Sequence, residues 1–419
     1  MTKSRTKLPL LYCLLLWIVA ASSIAASTAN FTLSVFGNAN LDDTINEQDV
    51  AYVQDVIKGT KAPTNLTDAN HDGKVDEKDI EQIKQIINGT EKELIIYDDS
   101  GDAVTINEPV STAVASSREY DEALRAIEAT DSIIAVDTGV KNSSAYFPEL
   151  GKLPGIAGEY GKNPDYEAAL KLKPDVYLSG FSNYEQDKKS LSGISAIYLK
   201  LWMPEGFTER VAKLGYIFNK REEARQYIQW HNDTIETIKE KIAGQSGKSQ
   251  PRILLASVYA DGIHVHTNQS GGGQIPGIIG VKILGEDLIG SHPLLDPEWV
   301  IKQNPQVILL LDIPDSIPKG YGTNDTSGMA AYRDEFMKDS SFSKLDAVVN
   351  GRVYLLDGKS MTYTGSYILS IAYMAKLFYP ELFKDFDPRA VHQEYLTMQG
   401  LDYNLKENGV FVYPPIEGR

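Results

Sequence analysis

One cysteine, Cys13, stands in 419 residues, so no intrachain disulfide and no thiolate metal site can form. Positive charge is also scarce: 41 Lys and Arg face 57 Asp and Glu, a net charge of −16. Recognition of a phosphate backbone needs a basic face, which excludes nucleic acid as a partner class. No G-x-G-x-x-G follows a strand pattern, and P-loop, G-x-S-x-G and H-E-x-x-H signatures are missing. The chain is therefore read as a non-enzyme, without a catalytic residue or catalytic cofactor. Beyond the N-terminus, no run is apolar and long enough to cross a membrane. What remains is ample for a core: 42% of residues are hydrophobic and 23% charged. At roughly 150 residues per domain, that length predicts two to three domains.

The first 26 residues read as an export signal. Lys3, Arg5 and Lys7 precede an apolar run over 8–21 and small residues over 22–27, the order of a cleavable leader. An uncleaved membrane anchor is the alternative. Export agrees with N-x-S/T triplets at Asn30, Asn65, Asn88, Asn142, Asn232, Asn268 and Asn324, which suit a glycosylated cell-surface protein.

Residues 31–91 hold a repeat. Asn38, Asn40, Asp42, Thr44, Asn46 and Asp49 match Asp68, Asn70, Asp72, Lys74, Asp76 and Asp79, at loop positions 1, 3, 5, 7, 9 and 12. Calcium takes six to eight oxygen ligands, and this spacing wraps a short loop around one ion, with position 7 giving its carbonyl. Position 6 asks for an unusual backbone, suited to Gly73 and only tolerated by Asp43. Val50, Val53 and Ile57, like Ile80, Ile83 and Ile87, follow at helical spacing. The pair resembles a type I dockerin, a small α-helical, EF-hand-like module. The resemblance implies two calcium ions and docking to a cohesin module. Positions 10 and 11 depart from the usual Ser-Thr, reading Glu47-Gln48 and Glu77-Lys78, which leaves the partner's identity open.

From residue 92 the pattern changes to alternating strands and helices. A hairpin over 94–97 and 103–106 leads into strands over 110–115, 132–136, 175–178 and 196–199, with helices over 120–129 and 165–172. This alternation predicts an α/β lobe with a parallel sheet over 92–206. Residues 207–246 read as a linking helical region punctuated by Gly215 and Asn219. A second alternating set over 247–419 predicts another lobe, with strands at 253–258, 307–311 and 353–356, and helices at 299–303 and 367–379. Gly271-Gly272-Gly273 lacks a P-loop lysine and reads as a flexible turn. Ligands of open α/β sheets bind beyond the carboxyl ends of the strands, here between the lobes.

The segment Asn163-Pro164-Asp165-Tyr166-Glu167, continuing to Leu172-Lys173-Pro174-Asp175-Val176, resembles solute-binding proteins for iron complexes and corrinoids. Leu295-Asp296-Pro297-Glu298-Trp299 with Asn304-Pro305-Gln306-Val307 is its counterpart. The resemblance covers about residues 92–400. It implies the helix-linked, two-lobed class III binding fold and a partner ABC permease. By matching motif, Glu167 and Glu298 are the carboxylates implied to pair with permease arginines.

Cleft candidates are Ser117, Arg118, Tyr146, Tyr160, Phe181, Trp202, Tyr259, Tyr321 and Tyr363. The chain has 23 tyrosines against 12 phenylalanines, and phenols offer a flat face with a hydrogen-bonding tip. Arg118 suits either an anionic ligand or an ion pair with a nearby acid. His264-x-His266 places two imidazoles on one strand face, with no third ligand in sight. The expected function is capture of a ferric siderophore, heme or cobalamin-type corrinoid for import, with the dockerin-like module as tether. A surface scaffold that binds cohesin is the alternative.

Overall fold

The computed structural model describes residues 31–180, 183–244, 250–362 and 365–416; the leader lies outside them. Two helices open the described chain, α1 (Glu47–Ile57) and α2 (Glu77–Asn88). Each begins with a reciprocal cap: Asn46 and Asp76 accept from the first turn, and Asp49 and Asp79 bond back to the cap backbone. The hairpin follows as β1 (Glu93–Tyr97) and β2 (Ala103–Asn107).

The N lobe is built from β3 (Ala113–Ala115), α3 (Arg118–Ala126), β4 (Ile133–Asp137), α4 (Thr138–Lys141), β5 (Gly155–Ala157), α5 (Tyr166–Leu172), β6 (Val176–Leu178), α6 (Tyr184–Ser190) and β7 (Ser195–Ile197). Its sheet runs β5-β4-β3-β6-β7, with parallel neighbours throughout. These strands are short and almost wholly apolar because both faces are covered.

Two helices link the lobes, α7 (Phe207–Ile217) and α8 (Arg221–Ala243). The sequence predicts a linking helical region punctuated at Gly215 and Asn219, and the break falls at Asn219, whose φ of 50° leaves the helical region. Gly215 instead lies inside α7, where a Cβ would come within 2.7 Å of Ala224. Along α8, Ala224, Tyr227, Ile228, His231, Ile238 and Ile242 are buried, a stripe at helical spacing within a charged helix.

The C lobe contains β8 (Ile253–Tyr259), β9 (Gly262–Val265), α9 (Gly271–Ile278), α10 (Pro297–Gln303), β10 (Val307–Leu310), α11 (Ser327–Lys338), α12 (Asp346–Val349), β11 (Val353–Leu356), α13 (Gly358–Met361), α14 (Tyr367–Phe378), α15 (Pro388–Met398) and β12 (Val412–Tyr413). The sheet order is β12-β11-β10-β8-β9, parallel at the centre and antiparallel at both edges. The three glycines read as a flexible turn form the first turn of α9. Cβ atoms there would strike Trp202 O at 2.7 Å, His266 Nδ1 at 3.1 Å and Thr267 O at 2.0 Å. Glycine lets this helix start inside a packed corner.

The N-terminal helix pair is not a loosely attached unit. Leu33, Val35, Ile45, Val50, Val53, Ile83 and Ile86 share one continuous apolar core with α7 and α8. The Ile45 N–H donates to Tyr216 Oη at 2.8 Å, and Ser34 N–H donates to Glu209 Oε1 at 3.0 Å. Arg221 donates to the Ile86 carbonyl at the end of α2. The boundary drawn at residue 91 therefore separates sequence patterns and not hydrophobic cores.

Candidate functional site

The lobes repeat one local design. In α5 and α10, Asp165 and Asp296 cap the start, accepting from Ala168 N and Glu298 N. Both helices end on a left-handed residue, Lys173 (φ 52°) and Asn304 (φ 44°), followed by proline and a strand. Val176 N–H donates to Thr112 O, and Val307 N–H donates to Arg252 O, entering β6 and β10 alike. Glu167 and Glu298 are both exposed in the first turn of these helices, where a carboxylate also complements the helix dipole. Leu170, Leu172 and Ile301, at 40, 36 and 48% exposure, add apolar surface on the same helices.

A cavity of about 620 Å³ opens between the lobes. Arg118 and Tyr146 line it from the N lobe; Lys319, Tyr321, Asp357 and Lys359 line it from the C lobe. Lys359 Nζ reaches Glu159 Oε1 at 3.2 Å, an ion pair across the lobes. Arg118 Nη2 donates to Glu122 Oε1 at 3.1 Å, with both side chains nearly excluded from solvent. Burial opposes the arginine's charge, but Glu122, Tyr160, Tyr146 and Glu119 together more than restore it, so its pKa rises. Of the two readings of Arg118, the ion pair is present, while its Nε is buried without a hydrogen-bond partner.

Around it α3 buries an unusual run of acids. Ser117, the residue preceding the helix, donates its hydroxyl to Glu119. Burial pushes Glu119 up to about 7 and Asp121 well above the usual carboxylate range. Asp137 is raised by burial too, although it accepts from the N–H groups of Val140, Arg118 and Tyr160. Asp357, buried on the C-lobe wall, is raised for the same reason.

The aromatic candidates divide. Tyr146 and Tyr321 stack on each other, so their faces are spent within the protein. Tyr160 stands in the left-handed region (φ 60°), held there by its N–H on Asp137, and lies close enough to Arg118 to feel its charge. Trp202 is not part of the 620 Å³ cavity wall; it packs near Tyr198, ring centroids 5.9 Å apart, with its carbonyl against Gly271 of the C lobe. Tyr259 likewise lies away from that cavity, donating its hydroxyl to Asp312 Oδ2 at 2.7 Å. Phe181 and Tyr363 lie outside the described residues.

The paired imidazoles, His264 in β9 and His266 just after it, part company. His264 is tied to Asp261 at 3.0 Å and to the His292 carbonyl at 2.8 Å. His266 turns inward, where one ligand atom each from His266, His292 and Asp312 lies within 4.8 Å of the others. Sequence spacing offers no signal for this group, because its members come from the segment just after β9, the 291–294 edge and the segment just after β10.

The repeated N-terminal loops share their geometry. Asp49 accepts from Asn40 N (3.1 Å) and Asn46 N (2.8 Å); Asp79 accepts from Asn70 N (3.2 Å) and Asp76 N (2.8 Å). Burial pushes Asp49 up to about 6 and raises Asp79, costs that a cation beside them would offset. Asn38 donates to Leu33 O and Asp42 O, leaving its buried Oδ1 without a partner. These oxygens fit the donor set of a calcium loop. The loops differ at position 6: Gly73 is left-handed at φ 88°, while Asp43 stays out of that region.

Comparison with known proteins gives one concordant result. A family model described as periplasmic binding protein matches residues 114–359. The high-affinity heme uptake system protein IsdE of Staphylococcus aureus is 24% identical over 205 residues, covering 46% of this chain and 63% of its own. The chain thus spans less than two thirds of the curated relatives it matches. The TroA-like periplasmic binding protein FepB from Veillonella parvula superimposes with a TM-score of 0.62 at 22% identity, covering 76% of this chain and 98% of that one. The molybdate periplasmic binding protein MolA of Haemophilus influenzae gives 0.59 at 19% identity, covering 74% and 99%. Helicobacter pylori CeuE with Ni(II) bound gives 0.58 at 17%, covering 75% and 97%. At these identities the shared property is the fold.

Proposed function

The chain belongs to the periplasmic binding protein family, and we propose that it captures a metal complex between its lobes and hands it to an ABC permease. The observation that carries this reading is the 620 Å³ cavity lined from both lobes, within the size range of small-molecule sites. Arg118, Lys319 and Lys359 outnumber Asp315 and Asp357 in the lining, a balance that favours an anionic chelate. Ferric siderophore and heme suit that lining, and the likeness to a heme uptake protein supports heme; a corrinoid is the remaining cargo class. Glu167 and Glu298, exposed at equivalent places on the two lobes, are the proposed permease contacts.

The protein acts outside the cytoplasm in this reading, after export by its first 26 residues, and carries calcium in the loops ending at Asp49 and Asp79. The resulting dockerin-like surface exposes Glu47, Gln48, Glu77 and Lys78 toward a cohesin-type partner. That exposed surface also favours a second reading, a scaffold that holds proteins together without transporting cargo. Absorption spectra of the purified protein titrated with heme, a ferric chelate and cobalamin test the choice. Saturable spectral change with one of them supports capture; no change with any, together with cohesin binding, supports the scaffold.

A further inference from the structure

We propose that His266, His292 and Asp312 form a binding site for a divalent transition-metal ion of the zinc or nickel class, beside the interlobe cleft. The proposal rests on how the proton positions are forced. Ser257 Oγ lies 2.7 Å from Asp312 Oδ2 and 2.7 Å from His266 Nε2. A carboxylate only accepts, so the serine hydrogen goes to Asp312 and its oxygen must accept from His266 Nε2–H. His266 is fully buried, where a neutral ring with one proton is favoured, and that proton sits on Nε2. Its Nδ1 therefore carries a lone pair.

That lone pair faces His292 Nε2 at 3.2 Å. Two imidazole nitrogens at about 2.0–2.1 Å from a tetrahedral ion stand roughly 3.4 Å apart, close to the separation here. The far nitrogen of His292 lies 3.2 Å from Ser291 Oγ, a place for its proton once Nε2 turns to a metal. Asp312 supplies the carboxylate, oriented by Ser257 and by Tyr259 Oη. Hydrogen-bonded outer partners of this kind fix ligand orientation in metal sites. Two imidazoles and one carboxylate with a remaining open position suit zinc, nickel or ferrous iron over calcium or magnesium.

The site stands next to the cleft and not in its lining. Asp312 lies just past β10, in the segment that carries Asp315 to the cavity wall, and a Cβ at Gly272, in the first turn of α9, would come within 3.1 Å of His266 Nδ1. None of the three residues lines the 620 Å³ cavity, so this is a bare-ion site distinct from the proposed chelate pocket.

The test uses the full chain saturated with calcium, so that the oxygen-rich N-terminal loops are occupied. Cobalt(II) and zinc are titrated as bare ions, with cobalt absorption reporting nitrogen ligation and calorimetry reporting stoichiometry and proton release. One equivalent of cobalt with an intense visible band is expected. His292→Ala and Asp312→Asn should each weaken binding at least ten-fold, with far-ultraviolet circular dichroism unchanged. His292 is half-exposed, so its loss should spare the fold even if His266→Ala does not. No cobalt or zinc binding by the wild type, or wild-type affinity in both folded variants, overturns the site. Because no chelate is present, failure here is read separately from failure of chelate capture.

Discussion

Tyr146 of the N lobe and Tyr321 of the C lobe lie face to face, ring centroids 4.4 Å apart and planes 12° from parallel. The pair belongs to the lining of the interlobe cavity and ties the lobes together through ring contact. Behind it, the Tyr321 hydroxyl and His392 Nε2 share a hydrogen bond of 2.8 Å. Burial pushes His392 down to about 3, so its ring is neutral. Tyr321→Phe should keep the stack but strip a buried nitrogen of its partner, a cost of about 1–3 kcal/mol. Urea unfolding should show a lower midpoint with the slope unchanged. An unaltered midpoint would mean that water serves His392 equally well.

The acids of α3 make a pH prediction. Glu119 titrates near 7 in the fold against 4.5 for the free group, because burial disfavours its charge. Its favourable contribution is complete below about pH 4.5 and is lost as pH rises through 7. Glu119→Gln should therefore gain on the wild type by about 1–3 kcal/mol between pH 4.5 and 7.5. The buried histidines His231 and His266, held near 4 by burial, act in the opposite sense and cancel in the difference. Unfolding free energies at the two pH values decide it; a constant difference between variant and wild type would sink the assignment.

Calcium should bind twice, more tightly to the second loop. Asp68, Asp72, Asp76 and Asp79 give that loop four carboxylates, and Gly73 adopts the left-handed turn that Asp43 avoids. More anionic ligands raise affinity. Calorimetry on the full chain should show two steps, with Asp72→Ala abolishing the tighter and Asp42→Ala the weaker. Chelator should lower the thermal midpoint, since binding to the folded form alone stabilises it. Absence of any calcium heat would end the reading of both loops.

Reversal of two charges separates capture from delivery. Glu167→Arg with Glu298→Arg should leave ligand affinity nearly unchanged, because both side chains are exposed on α5 and α10, away from the cavity lining. Association with the cognate permease should fall sharply, and the loss should shrink with added salt. Wild-type transport by the double variant would remove the contact assignment.

Much of this molecule was readable in its sequence because local signals and tertiary fold agree. The strand at 353–356 and the helices around Glu167 and Glu298 carry their own apolar runs, caps and prolines. The break at Asn219 is legible in the sequence as punctuation, whereas Gly215 gives no break because it sits inside α7 against Ala224. The glycine triplet misled because its meaning lies in what surrounds it, the backbone of Thr267 and Trp202, and local composition carries no trace of that. The cleft candidates were harder still. Tyr146 and Tyr321 met each other, Arg118 met Glu122, and the His266–His292–Asp312 group joins three distant segments.

The contacts of Ile45 with Tyr216 and of Ile86 with Arg221 make the N-terminal helix pair a mast and not a leash. Whatever grips that pair also sets the compass bearing of α7 and α8, and through them of both lobes. A partner holding the mast would thus choose which way the cleft opens and which way Glu167 and Glu298 point. Anchoring at that pair would then also be aiming.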